Sequence, residues 1–515
     1  MADRTQPVTL WPGIGAAAIV AILVLGTLGI VALRAPGAGS LGPADWAAIR
    51  FTLTQAVVSA VLSVLLAIPV ARALARRRFW GRDVLITLLG APFLLPVIVA
   101  VMGLLAVFGR AGLVNQGLGA LGLPPVPIYG FHGVVIAHVF FNLPLATRVI
   151  LQGWLAIPAE RFRLGAQLGF APSDMRRHLE WPMLRQTVPG AFAIIFAICL
   201  SSFAVALTLG GGPKATTVEL AIYQAFRFDF DLGKAAVLGV AQLALAGGAA
   251  LLALWLTQDG DVFGRGLDRA VERWDAQSSS ARILDVVAIS FAALFLLVPL
   301  MTIAARGVAA FPEMPMQVWR AAGVSLGVAL LSTVIAILLA LSIALATVRL
   351  RALESVGLLA IAASPLVIGT GLFLVIFPFA SPQDWAMVVT ACVNGIMALP
   401  FALRALVPAV QNAFASYGRL ASSLGFGRWG MIRIVVLPRC RAPLGFAAGL
   451  AAALSMGDLG VVALFAGAEE ATLPLQVFRL MGSYRMDAAA GASVLLAALS
   501  FALFYLCDAW GRQNA

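Results

Sequence analysis

Two arginine-rich stretches interrupt an otherwise apolar chain, and their residues suit protein docking better than bond-making chemistry. They read LGAQLGFAPSDMRRHLEWPMLR from Leu164 to Arg185 and LASSLGFGRWGMIRIVVLPRCR from Leu420 to Arg441, and they match at eight of 22 positions. Apolar side chains at helical spacing, edged by arginines, are typical of segments that enter a groove of another protein. These side chains are Leu164, Leu168, Phe170, Met175 and Leu179, with counterparts Leu420, Leu424, Phe426, Met431 and Val435.

Each stretch carries the signals of two helices separated by a turn. We expect a helix that breaks at Gly169 or Gly425, resumes as a short amphipathic helix, and stops at Pro182 or Pro438. Glycine permits the turn, and proline removes a backbone donor from a helix. Two short helices at one face of the protein form a shape that a partner can bind.

Several kinds of chemistry are excluded by what the sequence lacks. A phosphate-binding loop needs a lysine in G-x-x-x-x-G-K-[ST], and neither Lys214 nor Lys234, the only lysines, has that context. Any ATP must therefore be hydrolysed by separate subunits. The four cysteines contain no C-x-x-C pair, so neither a disulfide framework nor a zinc site is indicated. The formal net charge of +12 is explained by membrane topology without nucleic-acid binding.

The elements that position these stretches are membrane helices. Of the 515 residues, 61% are hydrophobic and 11% charged, and the mean hydropathy is +0.98, a composition that belongs in a bilayer. Apolar runs of about 20 residues can cross the hydrocarbon core. We predict twelve spans, at 13–34, 52–75, 84–108, 132–157, 187–209, 233–256, 281–305, 321–348, 354–379, 385–410, 441–466 and 488–510.

The chain also contains an internal repeat. At an offset of 256, Leu143-Pro144 falls on Leu399-Pro400 and Asp231 falls on Asp487, and the offset is about 273 nearer the start of each half. We therefore predict an all-α integral membrane protein with two parallel six-helix repeats. The domains are a first half at 1–256, a linker at 257–282 and a second half at 283–515, with loops 158–186 and 411–441 carrying the arginine-rich stretches.

The distribution of arginine predicts the orientation. Arginines cluster at 72–82, 161–185, 265–282, 349–351 and 419–441, all in loops on one side of the predicted spans, whereas the opposite loops are sparser in charge and mixed in sign. Positive loops remain in the cytoplasm. Both termini and both arginine-rich stretches are therefore expected to be cytoplasmic.

The arginine-rich stretches resemble the cytoplasmic coupling loops of binding-protein-dependent ABC importer permeases. The pattern is a glycine, nine residues, an aliphatic residue, one residue, then Leu-Pro; here it is carried by Gly169, Leu179 and Pro182 and by Gly425, Val435 and Pro438. The Glu-Ala-Ala that usually opens the motif is replaced by Arg163-Leu164-Gly165 and Arg419-Leu420-Ala421. The resemblance is closest to fused two-half permeases for thiamine and its phosphates, and LTLGGGPKATTVELAIYQAF at 207–226 is its most specific part.

The resemblance implies the type I importer permease fold and a set of partners. Two copies of an ABC ATPase, which hold ATP and Mg²⁺, would bind the two coupling loops, and a periplasmic binding protein would deliver substrate through a bacterial inner membrane. The chain itself would hold no cofactor or metal. Two alternatives are an iron(III) permease of the same architecture and, in a different class, a gradient-driven secondary transporter, which would need a chain of buried ionisable residues.

Since thiamine is a cation, a carboxylate could line its path. Asp458 in LSMGDLGVV is the candidate, because a charge at the centre of a membrane helix costs about 2.5–3.5 kcal/mol and needs a reason. Alternatively, Asp458 pairs locally or caps a broken helix near Gly457 and Gly460.

Four further residues are candidates for the translocation path. His138 and Asn394 occupy equivalent positions in the fourth spans, and Asn142 follows His138 by one turn. These side chains either contact substrate or bond neighbouring helices. Tyr223 belongs to an aromatic group between the fifth and sixth spans, where it could attract an organic cation or anchor the membrane interface.

Overall fold

A computed structural model of the chain describes residues 10–34, 41–90, 94–212, 215–256, 277–362, 364–467 and 471–513. Within these ranges all regular secondary structure is helical, which confirms the all-α membrane class. Most of the predicted linker, 257–276, lies outside the described residues. Its last residues begin the first helix of the second half, because the Ser278 hydroxyl accepts a hydrogen bond from the Ala281 amide and caps that helix.

The first half alternates long membrane helices with short ones. Its described helices are α1 Trp11–Leu33, α2 Pro43–Arg76, α3 Arg82–Leu88, α4 Val97–Phe108, α5 Leu113–Ala120, α6 Phe131–Leu155, α7 Ala159–Gln167, α8 Pro172–Leu200, α9 Ala204–Leu209, α10 Val218–Arg227 and α11 Leu232–Leu256. The second half has a similar order. Its described helices are α12 Ser279–Ala309, α13 Met316–Thr347, α14 Val356–Ala362, α15 Pro365–Ile376, α16 Ala386–Ser423, α17 Arg441–Met456, α18 Gly460–Phe465, α19 Leu473–Gly482 and α20 Met486–Arg512.

Eleven helical stretches of the described chain are long and apolar enough to cross a membrane, against the twelve spans predicted. The predicted span 354–379 is divided between α14 and the 12-residue α15, and the predicted span 84–108 is divided between α3 and α4. Pro96 immediately precedes α4, and Pro365 is the first residue of α15. Proline is favoured in the first turn of a helix and destabilises a helix interior, which fits a break before each of these two prolines.

The fifth span of the first half begins earlier than predicted, at Pro172, whereas that of the second half begins at Arg441 as predicted. Helix α8 continues through Pro182, and helical turns at Arg428–Arg439 run through Pro438 almost to α17, so the expected stops at these prolines are wrong. In both copies a π-helical turn, Arg176–Glu180 or Met431–Val436, precedes the proline. The wider turn accommodates a residue that cannot donate a helical hydrogen bond.

Farther along, both fifth spans unwind for three residues. The interruptions are Ser201–Phe203, between α8 and α9, and Gly457–Leu459, between α17 and α18. They lie at equivalent positions, 256 residues apart. We call the end of the bundle that carries 158–186 and 411–441 the coupling end, and the end that carries α10 and α19 the opposite end.

The first helix of each half lies on the other half. Helix α1 packs against α13 and α15, whereas α12 packs against α2 and α4. Asp285 of α12 accepts hydrogen bonds from Arg76 of α2 at 2.6 and 2.9 Å, and from Arg77 at 2.6 Å. The two halves are therefore interlocked near the coupling end.

Candidate coupling surface and translocation path

The two coupling segments, 158–186 and 411–441, share one backbone turn. Gly169 and Gly425 have φ angles of +69° and +71°, the left-handed region that glycine adopts without strain. In both copies the glycine amide donates to the carbonyl three residues earlier at 3.1 Å, and the following phenylalanine amide donates five residues back at 2.9 Å. This pattern ends a helix, so the breaks expected at both glycines are present.

Four leucines at these turns are exposed in matching pairs. Leu164 and Leu420 are 55% and 56% exposed, and Leu168 and Leu424 are 63% and 61% exposed. Clusters of exposed large apolar side chains on a folded surface are typical of sites that bind another protein. The turns therefore present two equivalent apolar patches at the coupling end.

The remaining predicted coupling residues lie deeper. Phe170 and Leu179 are half-buried, as are Phe426 and Val435 in the second copy, whereas Pro182 and Pro438 are exposed. Met175 and Met431 are fully buried. These methionines pack inside the protein instead of facing a partner, which corrects the expectation for them.

An ion pair attaches the first coupling segment to the bundle. Glu180, in the π-helical turn, is buried and accepts a hydrogen bond at 3.0 Å from the Nε of Arg72 in α2. The equivalent residue of the second segment is Val436, which is also buried. Sequence reasoning missed the role of Glu180, because its partner lies 108 residues away.

The imidazole ring of His138, in the first half, contacts serine hydroxyls on two neighbouring parts of the bundle. Its Nε2 lies 2.6 Å from the Ser202 hydroxyl at the interruption after α8, and its Nδ1 lies 3.4 Å from the Ser59 hydroxyl of α2. Asn142 donates to the His138 carbonyl at 2.8 Å and contacts the Cys199 sulfur at 3.4 Å. This arrangement matches the alternative reading of these residues as interhelical bonds.

Asn394 of the second half has a related environment. Its amide donates to the Ser455 hydroxyl at 3.1 Å, and Ser455 in turn lies 2.8 Å from the Ser332 hydroxyl. Ser332 and Ser455 correspond to Ser59 and Cys199 of the first half. The polar contacts between the second, fourth and fifth spans are thus repeated with different side chains.

Asp458 lies in the interruption between α17 and α18. Its Oδ1 accepts a hydrogen bond at 3.2 Å from the Gly460 amide, whereas its Oδ2 is buried and has no hydrogen-bond partner among the residues described. The first-half counterpart of Asp458 is Ser202, which contacts His138. The carboxylate therefore caps a broken helix with one oxygen, as the alternative reading expected, and its other oxygen is buried, with the Asn394 side chain close to the carboxylate.

Aromatic side chains connect Asp458 to Tyr223. A Cβ built on Gly460 would lie 3.6 Å from the Phe203 ring and 3.7 Å from Asp458 Oδ1, so both side chains border this glycine. The rings of Phe203 and Tyr223 have centroids 5.2 Å apart in an edge-to-face arrangement. The structure thus brings together Tyr223, Phe203 and Asp458, where the two halves meet.

A buried acid next to this group was not found from the sequence. Glu219 of α10 is 1% exposed, and its Oε1 accepts a hydrogen bond at 3.2 Å from Gln242 of α11. Burial raises the pKa of Glu219 to about 7, although hydrogen bonds from Ser364 and Gln242 oppose the shift. Neither Pro474, the equivalent residue of α19, nor Leu475, its partner at the offset of 256, is acidic, so the repeat gave no signal for Glu219.

The opposite end presents a second matched pair. Phe230 and Tyr484 are the non-glycine residues with positive φ among those described, at 52° and 59°. They are 81% and 92% exposed and lie just before the last helix of each half. Strained, exposed aromatic residues at equivalent positions are characteristic of functional surfaces.

Comparison with known proteins extends over nearly the whole chain. The thiamine transport system permease protein ThiP of Salmonella typhimurium is 39% identical, and the alignment covers 100% of this chain and 99% of that protein. ThiP of Brucella abortus is 38% identical over 96% of this chain and 94% of that protein. The chain belongs to the thiamine transport system permease family.

This membership confirms the predicted family of ABC importer permeases. A shorter relative within it, the molybdenum transport system permease protein ModB of Azotobacter vinelandii, is 31% identical over 35% of this chain and 80% of its own length. No family model matches the sequence. The permease is a multi-pass membrane protein of the predicted class.

Proposed function

We propose that this permease is the transmembrane subunit of an ATP-driven, binding-protein-dependent importer of thiamine and its phosphate esters. The observation that carries this proposal is the pair of identical coupling turns with exposed leucines, in a chain 39% identical to a thiamine transport system permease. The chain holds no cofactor; ATP and Mg²⁺ are bound by separate ATPase subunits.

Two ATPase subunits bind the two coupling segments. The leucines at each turn enter a groove of one ATPase, and Phe170, Leu179 and their counterparts support the turn from below. ATP-driven closure of the ATPase pair moves the segments together, and the long helices transmit this motion to the opposite end. The rigid attachment of the first segment through Glu180 and Arg72 supports such transmission.

The coupling end faces the cytoplasm of a bacterium, and the chain spans the inner membrane. The arginines that surround the coupling segments support this orientation, because positively charged loops are retained in the cytoplasm. Both termini are cytoplasmic in this arrangement. The opposite end then faces the periplasm, where a binding protein contacts Phe230 and Tyr484.

The translocation path passes Asp458 and Tyr223 where the halves meet. Thiamine is a cation, and the unpartnered Oδ2 of Asp458 together with the Phe203 and Tyr223 rings provides a carboxylate and two aromatic surfaces for it. His138, Asn142 and Asn394 border the path and fix the helices around it.

Replacing Asp458 tests this path. Asp458→Asn keeps the size and the cap acceptor but removes the charge, and we expect thiamine uptake to fall about tenfold, as loss of one charged contact predicts. Ser202→Ala, at the equivalent position of the first half, is the matched control. Unchanged uptake by Asp458→Asn would remove this carboxylate from the path.

The function itself is tested by reconstitution. Proteoliposomes would contain the permease, its ATPase and its binding protein, with ATP enclosed or omitted, and uptake of labelled thiamine would be measured. Uptake that requires both ATP and the binding protein is the expected result. ATP-dependent uptake of iron(III) but not thiamine would overturn the substrate, and uptake driven by an ion gradient without the ATPase would overturn the mechanism.

A further inference from the structure

A cavity of about 470 Å³ lies between the first coupling segment and helices α2, α6 and α8. Its charged lining consists of Arg72, Arg176, Arg177 and Glu180. Glu180 is already engaged with Arg72 at 3.0 Å. The two other arginines therefore give the cavity an excess of positive charge, which favours an anion.

Arg176 and Arg177 have the properties of anion ligands. Both are exposed, and within the described chain neither forms an ion pair; the Nε of Arg176 donates only to the Pro172 carbonyl, at 3.3 Å. A guanidinium group whose partner is a neutral carbonyl keeps its charge available. Arginine binds phosphate oxygens in a planar, two-pronged geometry.

Trp154 supplies an independent indication of a ligand. Its ring lines the cavity, its side chain is 3% exposed, and its buried indole Nε1 has no acceptor in the described part of the protein. Buried donors are nearly always paired in folded proteins. Because Trp154 lines the cavity, a ligand oxygen can become the missing acceptor once the indole ring shifts to expose its N–H.

The rest of the lining identifies the source of the anion. Ile68, Leu184 and Trp181 form an apolar wall, and Trp181 is half exposed with the Arg185 guanidinium 5.2 Å from its ring centroid. Tryptophan and arginine together are typical of the boundary between headgroups and acyl chains. An inorganic anion would use the arginines and leave this wall exposed.

We propose that this cavity binds the phosphate of an anionic phospholipid, with Arg176 and Arg177 at the headgroup and the acyl chains along the apolar wall. Assignment to the cytoplasmic leaflet rests on the orientation proposed above, whereas binding itself does not depend on transport. The lipid would occupy one side only, since the second copy has Ile432 for Arg176, Val436 for Glu180 and Leu437 for Trp181.

The second copy also provides the control, because Arg433 is the counterpart of Arg177. Binding of phosphatidylglycerol, phosphatidylcholine and inorganic phosphate to the full-length permease in detergent would be measured by native mass spectrometry and thermal shift. Since each arginine near an anionic lipid contributes roughly fivefold, we expect R176Q/R177Q to weaken phosphatidylglycerol binding about 30-fold. W154F, which removes the N–H and keeps an aromatic ring, should weaken it about fivefold.

The control variant R433Q should change phosphatidylglycerol binding less than about twofold. Unchanged binding by R176Q/R177Q would overturn the proposal, and so would equal losses in R433Q, which would indicate a diffuse charge effect. Stabilisation by inorganic phosphate equal to that by phosphatidylglycerol would overturn the lipid assignment. A failure of thiamine uptake in proteoliposomes would leave all these results intact.

Discussion

The two coupling segments share a backbone and differ in what attaches them to the bundle. Both turn at a left-handed glycine and expose two leucines to the same extent. Behind the turn, the first segment is held by the buried Glu180 and its 3.0 Å contact with Arg72, whereas Val436 and Leu345 occupy the equivalent positions of the second. The turn and its leucines are therefore kept constant, while the attachment can be ionic or apolar.

The crossings of the first helices show the same contrast. Helix α12 of the second half meets the first half through Asp285, which two arginines bind. Helix α1 meets α13 through Gly13, where an added Cβ would lie 2.3 Å from the Ala346 Cβ. One crossing is held by buried charge and the other by close backbone approach.

The contrast is reversed at the interruptions of the fifth spans. There the second half carries the charged residue, Asp458, and the first half carries Ser202 at the same interruption. Ser202 is occupied by His138 at 2.6 Å, whereas one Asp458 oxygen is unpartnered within the described chain. Glu180 and Asp285, which join helices, are each paired with arginine. Asp458, which is proposed for the path, has one oxygen with no hydrogen-bond partner among the residues described.

Asp285→Ala is the variant from which we expect the largest effect. Removing the carboxylate leaves the guanidinium of Arg76, whose side chain is 3% exposed, buried without its counter-ion. Breaking a buried ion pair from one side costs about 3–5 kcal/mol, so we expect a large loss in the free energy of unfolding, measured by denaturant titration in detergent. Asp83→Ala near the same end should cost less than about 1 kcal/mol, because the Asp83 carboxylate is exposed and its buried partner Arg82 also donates to the Leu74 carbonyl. Equal effects would show that the crossing does not depend on charge.

Much of the coupling surface could be predicted from the sequence, because glycine, proline and leucine act there through local backbone chemistry. The repeat predicted that Gly169 and Gly425 share a turn, and they do. Contacts between distant residues could not be predicted in this way. Asp285 meets Arg76 across 209 residues, and neither residue's local pattern indicates the other.

The broken third spans and the break at 201–203 were missed for a related reason, whereas a break beside Asp458 was one of the two interpretations of that residue. A hydropathy pattern reports apolar length but not whether the helical hydrogen bonds are continuous. At Ser202 and Asp458 the interrupted backbone is supported by side chains, through His138 and through the Asp458 cap of Gly460. Ser202 could have been found as the counterpart of Asp458, had the repeat been followed to that position.

A smaller effect is expected from making the first attachment resemble the second. Glu180→Val alone leaves Arg72 without this partner and should destabilise the permease by about 2 kcal/mol, because Arg72 is partly exposed and the loss is moderated by solvent. Adding Arg72→Leu should recover most of the loss, since an apolar pair can replace a buried ion pair. Denaturant titration of both single variants and the double variant gives the coupling energy. No recovery in the double variant would mean that the ion pair does more than attach the segment.

The shared turn should be equally sensitive in both copies. Gly169→Ala and Gly425→Ala each place a side chain in the left-handed region, at a cost of about 1–2 kcal/mol, although neither added Cβ would touch another atom within 4 Å. Asparagine tolerates this conformation, so Gly169→Asn and Gly425→Asn should cost less. The measurement is how strongly each variant permease stimulates the ATPase, compared between the two copies. A defect in one copy only would show that the two turns are not equivalent in coupling.

The smallest effect concerns a buried acid that the first half alone possesses. Glu219 has a pKa near 7 in the folded protein against 4.5 ordinarily, because burial disfavours its ionised form, and Pro474 occupies its place in the second half. The folded state therefore holds a proton that the unfolded state has lost between about pH 4.5 and 7, and stability should fall as pH rises through that window. We expect a loss of about 1 kcal/mol between pH 6 and 7, measured by thermal unfolding, and Glu219→Gln should abolish it. Gln242 and Ser364, which border the carboxyl group, do not titrate, so a pH dependence that persists in Glu219→Gln would assign the proton to another residue.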